Sequence, residues 1–263
     1  MFFMSNFEGG QQDVKSLGDL EHWGGSFPRE HEFVTLETVH GLNSDGHFDE
    51  ALVAADALVS RWRGNKFAGL WLYGTPGTGK TLFAAALGRA LHDAEPGADV
   101  AYMHLPTNAP GQAEWPGYFS QRGRDLNRKP EYIFSTAIIN DANFEVTNPR
   151  SVLILDDYMP KDRKVVLSAC TAGSEFGGLV VVTSNYPDPF KLLEAPQSMP
   201  TAQDAAIAAL LAREDPEAAE KLAQNAQEEE IAIAASLKSR LAAGFHFVEI
   251  GGPDRRPDNS FWK

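Results

Sequence analysis

Apolar and polar positions along this chain follow two periods, and the switches between them mark out its elements. Between residues 49 and 63, Leu52, Ala55, Leu58, Val59 and Trp62 recur at the spacing of one helix face. Residues 67–73, Phe-Ala-Gly-Leu-Trp-Leu-Tyr, then run without a polar break, as a strand covered on both sides does. A Gly-rich turn at 74–79 leads into a predicted helix over residues 80–92, closed by Pro96 and Gly97. Residues 100–105 read as a second strand and 152–155 as a short continuous apolar strand of the central parallel kind. A helix is expected from Lys161, a further buried strand over 179–184 and a last one over 245–250. Residues 201–242 are Ala-rich and helical in pattern, with Asp215 and Pro216 as a cap and first-turn pair. Strands alternating with helices predict an α/β fold around a mostly parallel sheet.

The two ends differ from this middle. Residues 1–32 hold Gly, Asn, Gln and Ser around Phe2, Phe3, Phe7, Trp23 and Phe27 with no sustained period, and read as a flexible N-terminal arm. Its aromatics either dock a partner or pack on the chain's own domain. Residues 33–263 read as one domain. Residues 214–230 carry seven acids and one lysine, the composition of a solvated helix face.

Composition narrows the class. With 263 residues, 43% hydrophobic and 22% charged, the chain can bury one sizeable core. No apolar run is long enough to span a bilayer, and the first residues lack the basic and apolar regions of a secretory signal. The single cysteine, Cys170, excludes an internal disulfide and a cysteine metal cluster, so a cytoplasmic, reducing compartment is expected. None of the 7 histidines forms a pair with zinc-site spacing. A net charge of −13 argues against a duplex-coating protein and leaves room only for a local basic patch.

The sharpest chemical signal is Gly74-Thr75-Pro76-Gly77-Thr78-Gly79-Lys80-Thr81, followed by Leu82. It matches G-x-x-x-x-G-K-[ST] and sits between a predicted strand and a predicted helix, the context that pattern requires. Glycines let successive N–H groups turn inward as an anion nest, and the following helix adds its positive end. Lys80 is placed to reach the β- and γ-phosphates of ATP, or the β-phosphate of ADP, and Thr81 to ligate Mg²⁺.

A second signal is Asp156-Asp157 at the end of the 152–155 run. In a parallel sheet that end faces the ligand crevice. Asp156 is the candidate Mg²⁺ ligand and Asp157 the candidate general base; a turn or helix cap is the alternative use of the pair. The strand over 179–184 ends in Thr183-Ser184-Asn185, and Asn185 is the candidate that orients the attacking water. Its alternative is a turn residue before Pro187.

Taken in order, these motifs resemble an AAA+ ATPase. The Asp-Asp pair resembles the replication-initiator and helicase-loader branch, which includes DnaA, DnaC, DnaI and IstB. The resemblance implies a three-layer α/β/α domain with a mostly parallel five-stranded sheet, here without a C-terminal helical lid. Leu237-Lys238-Ser239-Arg240-Leu241 looks like the arginine-finger box of that branch, which makes Arg240 a trans-acting catalytic residue reaching a neighbouring subunit in a ring or spiral homo-oligomer. The alternative reading of Arg240 is a surface cation ending a helix. Arg256 lies where loaders carry a second nucleotide-sensing arginine.

The resemblance also bears on residues 106–150. Residues 121–129 hold Arg122, Arg124, Arg128 and Lys129, flanked by Trp115, Tyr118, Phe119, Tyr132 and Phe134. Cations that track phosphates and aromatics that stack on bases would make this a single-stranded DNA surface; a solvated loop with its aromatics in the core is the other reading. The expected function is an ATPase that assembles on single-stranded DNA as a replicative helicase loader or a replication or transposition helper, with a helicase or transposase as partner. The alternative is a nucleotide-gated adaptor with negligible turnover.

Overall fold

Backbone pairing, rather than side-chain pattern, sets the size of the sheet. The structure is a computed structural model, and it describes residues 23–24, 31, 33–95, 98, 100–105, 151–186, 213 and 216–254. The strands are β1 (Trp23–Gly24), β2 (Ala68–Tyr73), β3 (Val100–His104), β4 (Val152–Asp156), β5 (Leu179–Ser184) and β6 (Phe245–Glu249). They lie in the order β1-β3-β4-β5-β2-β6, and every neighbouring pair is parallel. The five longer strands are those the sequence predicts. The two-residue β1 is an addition that the side-chain pattern does not predict. Without it β3 would be an open edge, whose free N–H and C=O groups will pair with any extended segment whatever its side chains.

Helices cover both faces. These are α1 (Leu36–Leu42), α2 (Asp49–Arg63), α3 (Lys80–Ala94), α4 (Arg163–Phe176) and α5 (Pro216–Gly244). Successive side chains of a strand point to opposite faces, so Leu70 and Leu72 of β2 pack with Val39, Leu58, Trp62 and Phe83 of α1–α3. Trp71, between them, packs on the other side with Cys170 of α4 and Leu237 and Leu241 of α5. The result is three layers, α/β/α, as expected.

One helix is absent from the sequence reading and one starts later than predicted. The short α1 carries too few apolar positions to be read by period; it is held by Thr35, whose Oγ1 accepts from the Thr38 N–H at 3.2 Å while Thr38 Oγ1 accepts from the Thr35 N–H at 3.2 Å. The helix predicted from Lys161 starts at Arg163, after a 3-10 turn over Pro160–Asp162. In α5 the acids Glu217, Glu220, Glu228 and Glu229 are exposed, as a solvated face requires.

Candidate functional site

The Gly-rich loop joins the carboxyl end of β2 to the start of α3. At Gly74 (φ +142°) a Cβ would strike the backbone carbonyl oxygen of Ile250, because the chain leaving β6 crosses just above the loop. The Ile250 N–H donates to the Tyr73 carbonyl at 2.7 Å and fixes that crossing. Only glycine fits there. Thr75 and Pro76 form the exposed tip, and Thr78 Oγ1 donates back to the Thr75 carbonyl at 3.0 Å. Lys80 is 6% exposed and sits in the curl of the loop, its Nζ donating to the carbonyls of Gly74 at 3.0 Å and Thr75 at 2.6 Å. Thr81 and Leu82 follow in the first turn of α3.

Next to the loop, Asp156 closes β4 with 3% of its surface exposed. An ionised carboxylate only accepts hydrogen bonds, and this one is surrounded by hydroxyl donors. Thr81 Oγ1 donates to Oδ1 at 2.8 Å and Thr183 Oγ1 to the same oxygen at 2.6 Å. Tyr102 Oη donates to Oδ2 at 2.7 Å. The sheet register explains the meeting. Tyr102 pairs with Ile154, and Leu155 with Val182, so residues 102, 156 and 183 project to the α3 side at one end of three adjacent strands.

Asp157 leaves the strand in the left-handed region, at φ +60°. That conformation costs an L-residue roughly 1–2 kcal/mol, and aspartate is among the residues that tolerate it. Two bonds hold it: its N–H donates to Thr183 Oγ1 at 2.9 Å, and Asn185 Nδ2 donates to its Oδ1 at 2.6 Å. The kink turns the Asp157 carboxylate out of the sheet while Asp156 stays inside. One hydroxyl, that of Thr183, thus bonds both members of the acidic pair. The sequence reading missed Tyr102 and Thr183. Their signal was a hydroxyl-bearing residue inside an otherwise apolar strand, but their common target depends on strand order.

The arrangement suits a hard divalent cation. Asp156 and Thr81 present oxygen donors 2.8 Å apart beside the loop, a small donor set of the kind Mg²⁺ uses when substrate phosphates and water supply the rest. Past β6, the chain brings an acid to the same place. A Cβ at Gly77 (φ +82°) would collide with the carboxylate of Asp254, so this exposed acid packs directly on the loop.

Arg240 lies elsewhere. It lines a cleft of about 360 Å³ with Phe67, Arg61, Ser174 and Ser239, beside the start of β2 and the end of α5. That is the opposite end of the sheet from its own copy's loop. The side chain is half-buried, with a route to the surface. Across the α4–α5 contact, burial pushes the Cys170 thiol up to about 12, partly opposed by the Arg240 charge. Arg256, the 121–129 basic stretch with its flanking aromatics, and the arm's Phe2, Phe3, Phe7 and Phe27 lie outside the described residues. Among the described residues no helix is long and apolar enough to cross a membrane.

No family model matches the chain, and no curated protein matches it. Solved structures do. The structure of DnaI superposes with a TM-score of 0.51 at 22% identity, over 88% of this chain and 94% of that one. The DnaC helicase loader gives 0.40 at 17% identity, over 78% and 90%. Domain III of the Thermotoga maritima replication initiation protein DnaA gives 0.43 at 17% identity, over 77% and 62%. With its five long parallel strands in the order β3-β4-β5-β2-β6 between two helical layers, the chain has the fold of AAA+ P-loop nucleoside triphosphatases, shared over most of its length with DnaI.

Proposed function

We propose that this chain is a Mg²⁺-dependent ATPase that assembles on single-stranded DNA, as a helicase loader or a replication or transposition helper. The observation that carries the reading is the convergence on Asp156: hydroxyls from the loop helix, from β3 and from β5 all donate to one buried carboxylate. A structural turn needs no such wiring. It supports a site that holds a cation against a triphosphate on the loop.

Each residue then has a role. The loop amides and the α3 N-terminus bind the phosphates, and Lys80 exchanges the Gly74 and Thr75 carbonyls for phosphate oxygens. Thr81 and Asp156 would hold Mg²⁺, which neutralises charge on the β- and γ-oxygens when bound. Asp157 accepts the proton of the attacking water at its carboxylate. Asn185, already bonded to Asp157, orients that water. Arg240 enters the site of a neighbouring copy and stabilises the charge of the transferring phosphoryl group. The motif order and the AAA+ fold support the DNA and helicase or transposase partners, with the basic stretch at 121–129 as the DNA surface.

Two measurements test this. Phosphate release by the full chain should require Mg²⁺ and rise with a single-stranded oligonucleotide. Light scattering should find larger assemblies with a non-hydrolysable ATP analogue than with ADP, and larger still with oligonucleotide present. Tight nucleotide binding without turnover would instead make the chain a nucleotide-gated adaptor.

A further inference from the structure

Among the described residues, two non-glycines sit in the left-handed region, Asn65 at φ +56° and Asp157 at φ +60°. Asn65 follows the end of α2, where such a residue is routine. Asp157 follows a strand, where it is not. Glycine would make a turn there at less cost, so a strained acid at this place points to a use for its carboxylate.

The side-chain parity of β4 shows what the conformation does. Leu153 and Leu155 pack on the α4–α5 side with Trp71, and Ile154 on the α1–α3 side. Asp156 follows on the α3 side, bonded to Thr81. Strict alternation would send residue 157 into the α4–α5 core and residue 158 back toward α3. Instead Tyr158 is fully buried on the α4–α5 side, its ring centroid 4.9 Å from that of Trp71. The parity has slipped by one, so Asp157 is an extra residue inserted just past β4, a β-bulge. The bonding to β5 agrees. After the Leu155–Val182 pair, two successive N–H groups meet one residue. The Asp157 N–H donates to Thr183 Oγ1 at 2.9 Å and the Tyr158 N–H to the Thr183 carbonyl at 2.8 Å.

We propose that Thr183 is a positioning residue for Asp157: its two oxygens latch the bulge, and the bulge turns the carboxylate out at the strand ends beside Asn185 instead of into the α4–α5 core. The inference rests on reading Asp157 as the base of an ATPase. Asp156 aims the latch. Thr183 Oγ1 donates its one proton to Asp156 Oδ1 at 2.6 Å, which leaves its lone pairs for the Asp157 N–H. The β-branch of threonine holds that rotamer. Serine offers the same oxygen on a looser side chain, and valine the same shape without the oxygen.

The test uses the full chain with Mg²⁺ and ATP. Thr183→Val should lower kcat by roughly a hundredfold, the scale of a base displaced by an ångström, while affinity for a fluorescent ATP analogue stays within about twofold. Thr183→Ala, which adds no methyl to be fitted, should do the same, and Thr183→Ser should regain most of the lost turnover. Tyr102→Phe takes another donor from Asp156 and leaves the bulge intact, so it should cost only a small fraction of that loss. Amide hydrogen exchange reads the latch without turnover. The Asp157 N–H should be protected in the unaltered and Thr183→Ser chains and exchange faster in Thr183→Val. Unchanged kcat, or an equally protected amide, in Thr183→Val overturns the proposal. So does an equal kcat loss in Tyr102→Phe, or a loss of analogue affinity as large as the loss of kcat, since Thr183 would then only support Asp156 or the loop. All of these leave the ATPase standing. No Mg²⁺-dependent turnover by the unaltered chain refutes the ATPase and the positioned base together.

Discussion

At the carboxyl end of the strands, acids and hydroxyls satisfy one another; at the amino end, two arginines line a cleft with no acid among the described residues. The first region is a closed network. Asp156 accepts from Thr81, Tyr102 and Thr183, Asp157 from Asn185, and Lys80 rests on loop carbonyls. Both carboxylates are fixed by hydrogen bonds from residues of neighbouring elements. The second region leaves Arg61 and Arg240 without carboxylate partners among the described residues. One end satisfies its polar groups within the chain; at the other, the described residues that line the cleft include two arginines and no acid.

Breaking the first end should have the largest effect. Lys80→Ala should weaken nucleotide binding by roughly a hundredfold or more, the scale of losing one partner of a buried charge pair. Titration with a fluorescent ATP analogue reads this, and unaltered affinity would place the triphosphate elsewhere.

Stability should separate the two ends next. Thr183→Val removes a donor to Asp156 and the acceptor of the Asp157 N–H at once, a cost of about 2–3 kcal/mol. Tyr102→Phe removes a single donor and should cost about half that. In thermal unfolding these become drops of roughly 2–4 °C per kcal/mol for a domain of this size. Arg61→Ala should leave the midpoint nearly unchanged, as surface changes do within about 0.5 kcal/mol. Equal losses at both ends would erase the contrast.

A smaller effect, of opposite sign, is expected at the loop. Asp254 packs on Gly77, so its charge opposes an incoming phosphate. Asp254→Ala should tighten ATP binding by roughly two- to fivefold, the range of an exposed charge interaction. A weaker affinity would mean that the carboxylate supports the nucleotide instead.

How much of this was legible in the sequence follows from how local each feature is. The loop could be read because its whole pattern lies in eight consecutive residues, 74–81. Asp156-Asp157 could be read because an apolar run stops at two acids. Tyr102 and Thr183 could not be assigned, since their shared target exists only once β3, β4 and β5 are aligned in register. Arg61 was hidden for the same reason. On its helix it is one more exposed cation, and it lines one cleft with the end of a helix some 180 residues later in the chain. The edge strand β1 left no trace at all, because backbone pairing needs no side-chain pattern.

The thiol reports on the packing beneath the cleft. Cys170 is buried between α4 and α5, and its raised pKa keeps it protonated at neutral and mildly alkaline pH. A disulfide reagent should therefore label the folded chain far more slowly than the unfolded one. Rapid labelling of the folded chain would mean that the helix pair beneath the arginine cleft is open.

The most direct test of the central claim is a structure of the chain with Mg²⁺ and a non-hydrolysable ATP analogue. The account predicts the triphosphate on Gly74–Thr81, the cation on Thr81 and Asp156, and Lys80 Nζ moved from the Gly74 and Thr75 carbonyls to phosphate oxygens. A triphosphate bound away from this loop, or a Lys80 still bonded to those carbonyls beneath a bound nucleotide, would contradict it.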